Sequence, residues 1–66
     1  MYQRALQDSN KAISIDFEMA TAYFTRGVIY KHLGDSVKSR QDLEKCLELT
    51  TDPALIKAAR AVLGAL

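Results

Sequence analysis

The chain has no tryptophan, one proline, one cysteine, one histidine and three glycines among its 66 residues. Each shortage excludes something. One cysteine forms no internal disulfide, which suits a reducing compartment, and the expected location is the cytoplasm. The lone His32 and Cys46 have no carboxylate beside them at ligand spacing, so no metal site is assigned; His32 reads as a solvated surface residue and Cys46 as a small core residue. No Ser-His-Asp or Cys-His arrangement is recognisable, and Gly27, Gly34 and Gly64 are too scattered to cradle a phosphate. The reading is therefore of a protein that is not an enzyme, with no catalytic residue, cofactor or small-molecule substrate. No apolar run is long enough to cross a bilayer, and Met1 leads directly into Tyr2-Gln3-Arg4 and patterned helix, so no cleaved leader is expected. Charge of one sign is also lacking: nine basic and eight acidic residues give +1, which draws in neither nucleic acid nor an anionic membrane.

What is present is an ordinary globular composition, 48% apolar and 26% charged, in a chain that makes one domain at most. A domain this small buries only about 60% of the surface its unfolded form exposes, so its stability is marginal.

With proline withheld until Pro53 and glycine confined to three positions, long helices have few interruptions. Four are expected. The first runs from about Tyr2 to Ile15, with Ala5, Leu6, Ser9, Ala12, Ile13 and Ile15 as its small and apolar face, and Asp16-Phe17-Glu18 turns the chain. The second runs from about Met19 to Leu33 and is apolar on more than one side, which calls for helices on both flanks. Gly34 ends it, and Asp35 or Ser36 caps a third helix whose face is Val37, Leu43, Cys46, Leu47 and Leu49. Thr51-Asp52-Pro53 opens a fourth, with Ile56, Ala59, Val62, Leu63 and Leu66 apolar. Apolar residues recur at three and four rather than two, and Ala, Leu, Lys, Glu and Gln are abundant, which excludes strands.

These helices repeat. Gln7, Asp8 and Lys11 fall on Gln41, Asp42 and Lys45 at an offset of 34 residues, and Ala20, Arg26 and Val28 fall on Ala54, Arg60 and Val62 at the same offset. Gly27 and Ile29 meet the similar Ala61 and Leu63. A period of this length implies stacked units, each covering its neighbour's apolar face.

The residues resemble the tetratricopeptide repeat family, whose helix–turn–helix unit carries W-x2-L-G-x2-Y followed by small, aromatic and small residues and a proline. Tyr23 stands at the tryptophan, Gly27 and Tyr30 match the Gly and Tyr, Leu33-Gly34-Asp35 matches the turn, Ser39 and Cys46 take the small positions, and Leu43 the aromatic one. Arg26 replaces the motif's leucine, and Thr51 stands at the proline, with Pro53 two residues on. The resemblance implies an all-α fold of antiparallel helix–turn–helix units stacked as a short right-handed superhelix, an α-solenoid of about four helices. Residues 1–16 would be the second helix of a preceding repeat, 20–53 a complete repeat, and 54–66 the first helix of a following repeat or a capping helix. Small residues at Ala22, Gly27, Ser39 and Cys46 would let helix axes approach to the lower end of the usual range.

The resemblance also implies that the first helix of each repeat lines a groove for an extended peptide or a partner helix. Thr21, Phe24, Val28 and Lys31, with His32 beside them, form one stripe of the second helix at helical spacing, displaced from the Tyr23-Gly27-Tyr30 face; Leu55, Ala58, Val62 and Ala65 are its copy on the fourth. The alternative is that Phe24 and Val28 touch a neighbouring helix of the same chain. Some members of the family clamp the carboxylate-ended tails of heat-shock chaperones with Lys, Asn and Arg, but Phe24, Thr25 and Val28 occupy those places, so that specificity is not carried over. Arg26 is expected to snorkel toward water, Asp42 or Glu44, with Arg60 taking the same structural role in the following repeat.

The function expected is a non-catalytic protein–protein interaction module, a scaffold or adaptor with another protein or peptide as partner. The alternative is structural self-assembly into a homo-oligomer that completes the half repeats, with Ile56, Leu63 and Leu66 as the self-association residues, or membership of a longer repeat array.

Overall fold

The computed structural model describes all residues from Met1 to Leu66: four α-helices, α1 (Tyr2–Ile15), α2 (Ala20–His32), α3 (Ser36–Leu49) and α4 (Pro53–Gly64), and no strand. Local chemistry sets their ends. Asp16 accepts from the Glu18 backbone N–H through its side chain, at 3.0 Å, in the turn between α1 and α2. At the end of α2 the backbone N–H of Asp35 reaches the Tyr30 carbonyl and that of Gly34 reaches the Lys31 carbonyl, at 2.9 and 3.1 Å. This is the Schellman pattern, and it requires a left-handed residue, which Gly34 supplies at φ 85°. Asp35 then caps α3 by accepting from the Lys38 N–H, and Asp52 caps α4 by accepting from the Ala54 N–H, just ahead of Pro53.

The helices follow one another in space as in sequence, α1 on α2, α2 on α3, α3 on α4, and α2 also touches α4. The outline, 28 × 27 × 16 Å, is a slab about two helix diameters wide and little more than one thick. Its core is small and centres on Tyr23, Leu43, Cys46 and Ala59, one or two residues from each of α2, α3 and α4, while α1 contributes the buried Ser9 and the half-buried Ile13. Close approach of α2 and α3 depends on Gly27. A methyl there would lie 2.9 Å from Leu43 Cγ and 3.3 Å from the Ser39 carbonyl oxygen, and the Ser39 hydroxyl donates to the Gly27 carbonyl at 2.7 Å.

Two residues assigned to apolar faces are instead exposed. Ile15 is 76% exposed because it lies on the last turn of α1, where the chain leaves for α2 and nothing covers that side. Val37 is 66% exposed, since the first turn of α3 presents it to solvent while Ser39 and Leu43 face α2. Helix α2 is also a residue shorter at each end than its periodicity suggests, Met19 serving as N-cap and Leu33 as C-cap.

Candidate protein-binding surface

The stripe on α2 is a mixture of wet and half-covered side chains. Thr21 and Lys31 at its ends are exposed, and Phe24 and Val28 between them are half-buried. Phe24 packs against the core cluster with part of its ring still open to solvent, whereas Val28 is not part of that packing. His32 is exposed, and its ring stacks on Tyr2 of α1, with centroids 5.0 Å apart and planes within 10°. On α4, Leu55 and Val62 are half-buried against the core, Ala58 is half-buried and Ala65 is exposed. The residues expected to self-associate also divide: Leu63 and Leu66 pack partly on this chain's own core, whereas Ile56, half-buried, lies outside that cluster.

The structure adds a second feature. An open depression of about 260 Å³ lies between α1 and α2, formed by Asp8, Ser9 and Ala12 on one side and Met19, Thr21, Ala22 and Thr25 on the other. Of the stripe, only Thr21 reaches it. The small residues Ser9, Ala12 and Ala22 are the signal that could have found it, because small side chains facing each other across two helices leave space where they do not close it.

The strongest electrostatic arrangement ties three helices together. Arg26 donates from Nε to Asp42 Oδ2 and from Nη2 to Asp42 Oδ1, both at 2.8 Å, and from Nη1 to Asn10 Oδ1 at 3.0 Å. One guanidinium thus joins α1, α2 and α3. The hydrogen bond to Asp42 raises the Arg26 pKa from its already high ordinary value, outweighing partial desolvation. The rings of Tyr23 and Tyr30 flank it, with Arg26 Cζ 5.6 and 6.0 Å from their centroids. Of the two acidic partners the sequence offered, Asp42 is taken and Glu44 is not. Arg60 does not take the expected parallel role: it is exposed, and its side chain makes no hydrogen bond or ion pair.

Nothing in this surface gathers nucleophile, base and oxyanion donors. Cys46 is fully buried and burial pushes its thiol pKa up, which makes it a poor nucleophile where it stands. No helix is long and apolar enough to cross a membrane.

Residues 20–53, which run from the start of α2 through the Schellman turn and α3 to the first residue of α4, match the family model for the tetratricopeptide repeat. The matched span is a little over half of the chain. No curated protein and no solved structure matches the chain.

Proposed function

Because the chain belongs to the tetratricopeptide repeat family, whose repeats generally mediate protein–protein interaction and are typically non-catalytic, we propose that it holds a protein partner on the exposed stripe of α2. The partner is an extended peptide or an amphipathic helix that presents aliphatic or aromatic side chains to Phe24 and Val28, with Thr21, Lys31 and His32 giving polar contacts at the two ends. A scaffold or adaptor role follows from that mode of binding.

One observation carries the reading. Phe24 and Val28 are apolar, partly open to solvent, and bounded by exposed polar residues, which is the arrangement of a recognition stripe with an apolar centre and a wet rim. Leu55, Ala58 and Val62, half-buried on α4, are the copies of the same stripe one repeat later, on an element in contact with α2.

Selection of displayed peptides on the native chain tests this. Enriched sequences should share aliphatic or aromatic anchors, and Val28→Asp should weaken their binding more than about tenfold while the far-ultraviolet circular dichroism is unchanged. Val28 is the better probe than Phe24, whose ring also supports the core. Peptides that bind Val28→Asp as tightly as the native chain would reject the stripe.

A second reading, self-association, is favoured by Ile56. This branched apolar residue on α4 lies half-open outside the core cluster, at the place where the complete repeat has the buried Ala22.

A further inference from the structure

The 34-residue period allows each contact inside the complete repeat to be transposed onto the outer helices. Arg26 of α2 and Asp42 of α3 are joined by two 2.8 Å hydrogen bonds. Their copies are Arg60 on α4, one repeat later, and Asp8 on α1, one repeat earlier. Both copies are exposed, and neither side chain makes a hydrogen bond or ion pair, Arg26 to Asp42 being the one salt bridge of the molecule. The chain therefore carries the basic half of this pair on one outer helix and the acidic half on the other.

The packing beneath the pair is matched as well. At the inner contact a methyl on Gly27 would collide with Leu43 at 2.9 Å. In the transposed contact the methyl is present, as Ala61, but the obstructing isobutyl group is gone, because Ser9 stands at the place of Leu43. The two changes compensate each other although they lie on helices at opposite ends of the chain. Ile56 and Leu63 replace Ala22 and Ile29, adding apolar surface to the α4 side. Tyr23 and Tyr30, which wall in Arg26, are answered only by Lys57 and Gly64, so the transposed contact is weaker than the one inside the chain.

We infer that a second copy of this chain docks head to tail, α4 of one copy packing on α1 of the next as α2 packs on α3, with Arg60 gripping Asp8 of the second copy. This deepens the self-association reading and rests on it. The contact uses two different faces, so each added copy presents a free Asp8 or Arg60 for another, and growth is open rather than limited to a pair. The competing partner for Arg60 is Glu44 of its own chain, at the place where Arg26 has Asn10; the two do not pair within salt-bridge distance.

Sedimentation equilibrium on the full chain, over a range of concentrations, with charge-reversed variants is the test. The native chain should show a weight-average mass that rises with concentration. Asp8→Arg and Arg60→Asp should each weaken association more than about tenfold, since each sets like charges against each other. Mixed in equal amounts, the two variants should associate again. The arginine introduced in one variant then meets the aspartate introduced in the other, and the unaltered Arg60 of the first meets the unaltered Asp8 of the second. Both positions are exposed, and unchanged helicity establishes that each variant folds; Asp8→Asn and Arg60→Gln, expected to weaken association in the same direction, serve if a reversal perturbs the fold. A native chain that stays monomeric overturns self-association and this contact together. Association that survives the charge changes, or that mixing fails to restore, overturns this contact and leaves self-association by another face standing.

Discussion

Arg26 and Asp42, sixteen residues apart on adjacent helices, meet through two hydrogen bonds of 2.8 Å, and the carboxylate is the more deeply buried of the two, at 8% side-chain exposure against 22% for the guanidinium. That asymmetry gives an unequal cost to breaking the pair. The family motif has leucine where Arg26 stands, so Arg26→Leu moves the sequence toward the motif. It should nevertheless destabilise the chain by about 3 kcal/mol, because it strands the Asp42 carboxylate in a place water scarcely reaches. Asp42→Leu should cost less, as the long Arg26 side chain can swing its head into water. The double variant should recover most of the loss. Urea unfolding of all four forms measures this, and an Arg26→Leu chain as stable as the native one would show that the pair is not what holds α2 to α3.

Gly27→Ala sets two effects against each other. Alanine is better in a helix by about 1 kcal/mol, but the new methyl would meet Leu43 Cγ at 2.9 Å and the Ser39 carbonyl at 3.3 Å. Leu43 is fully buried and cannot rotate away freely, and the carbonyl belongs to the backbone of α3. The clash should win, with a net loss of about 1–2 kcal/mol as the two helices are pushed apart. Gly27→Ala combined with Leu43→Ala should lose less than the sum of the two single changes. A rise in thermal midpoint for Gly27→Ala would mean that α2 and α3 are not in the close contact described.

The features of this fold that are legible in the sequence are those fixed by neighbours along the chain. Gly34 followed by Asp35, and Asp52 followed by Pro53, specify a helix end and two helix starts through bonds spanning no more than five residues. Periodicity then gives the angle at which a side chain leaves its helix but not whether another element lies there, which is why Ile15 and Val37 have the spacing of a packed face and yet stand in water. The partner of Arg26 is within reach of the sequence: Asp42 follows Ser39 by three and precedes Cys46 by four, so it shares their stripe, whereas Glu44 points to the far side of α3. The depression between α1 and α2 is legible only in part: the small residues Ser9, Ala12 and Ala22 stand in the sequence, but where the two helices sit relative to each other is encoded by neither helix alone.

Helix α4 depends on its cap more than the other helices do. Asp52 accepts from the Ala54 N–H at 3.0 Å and is itself held by Thr50, whose hydroxyl oxygen accepts from the Asp52 N–H at 3.0 Å. The helix has neighbours on one side only and a single fully buried residue, Ala59, so loss of the cap is not made up by packing. Asp52→Ala should cost about 1 kcal/mol. The loss should appear first as faster amide exchange throughout α4, with α2 and α3 still protected. Uniform acceleration across all four helices would instead mean that α4 is an inseparable part of a single cooperative unit.

The buried thiol of Cys46 ties stability to pH in the alkaline range. Burial raises its pKa, so the folded chain keeps the proton under conditions where the unfolded chain, with a thiol near about 8.5, releases it. Above that value the unfolded state binds fewer protons than the folded one, and by linkage the free energy of unfolding falls as pH rises. The stabilising contribution is therefore complete below the unfolded pKa and is lost as pH climbs through the folded one. Arg26, whose own pKa is raised further above its high ordinary value, stays charged across this window, so its pair with Asp42 does not contribute to the slope. Urea midpoints measured between about pH 7.5 and 9.5 should decline more steeply for the native chain than for Cys46→Ala, which keeps a small residue at the position and removes the titrating group. Alkylation of Cys46 at fixed pH should follow the unfolded fraction set by urea, because the sulfur is reached only when α3 leaves α2 and α4. Equal slopes for the two chains, or rapid alkylation without denaturant, would show that the thiol is already open to water in the folded protein.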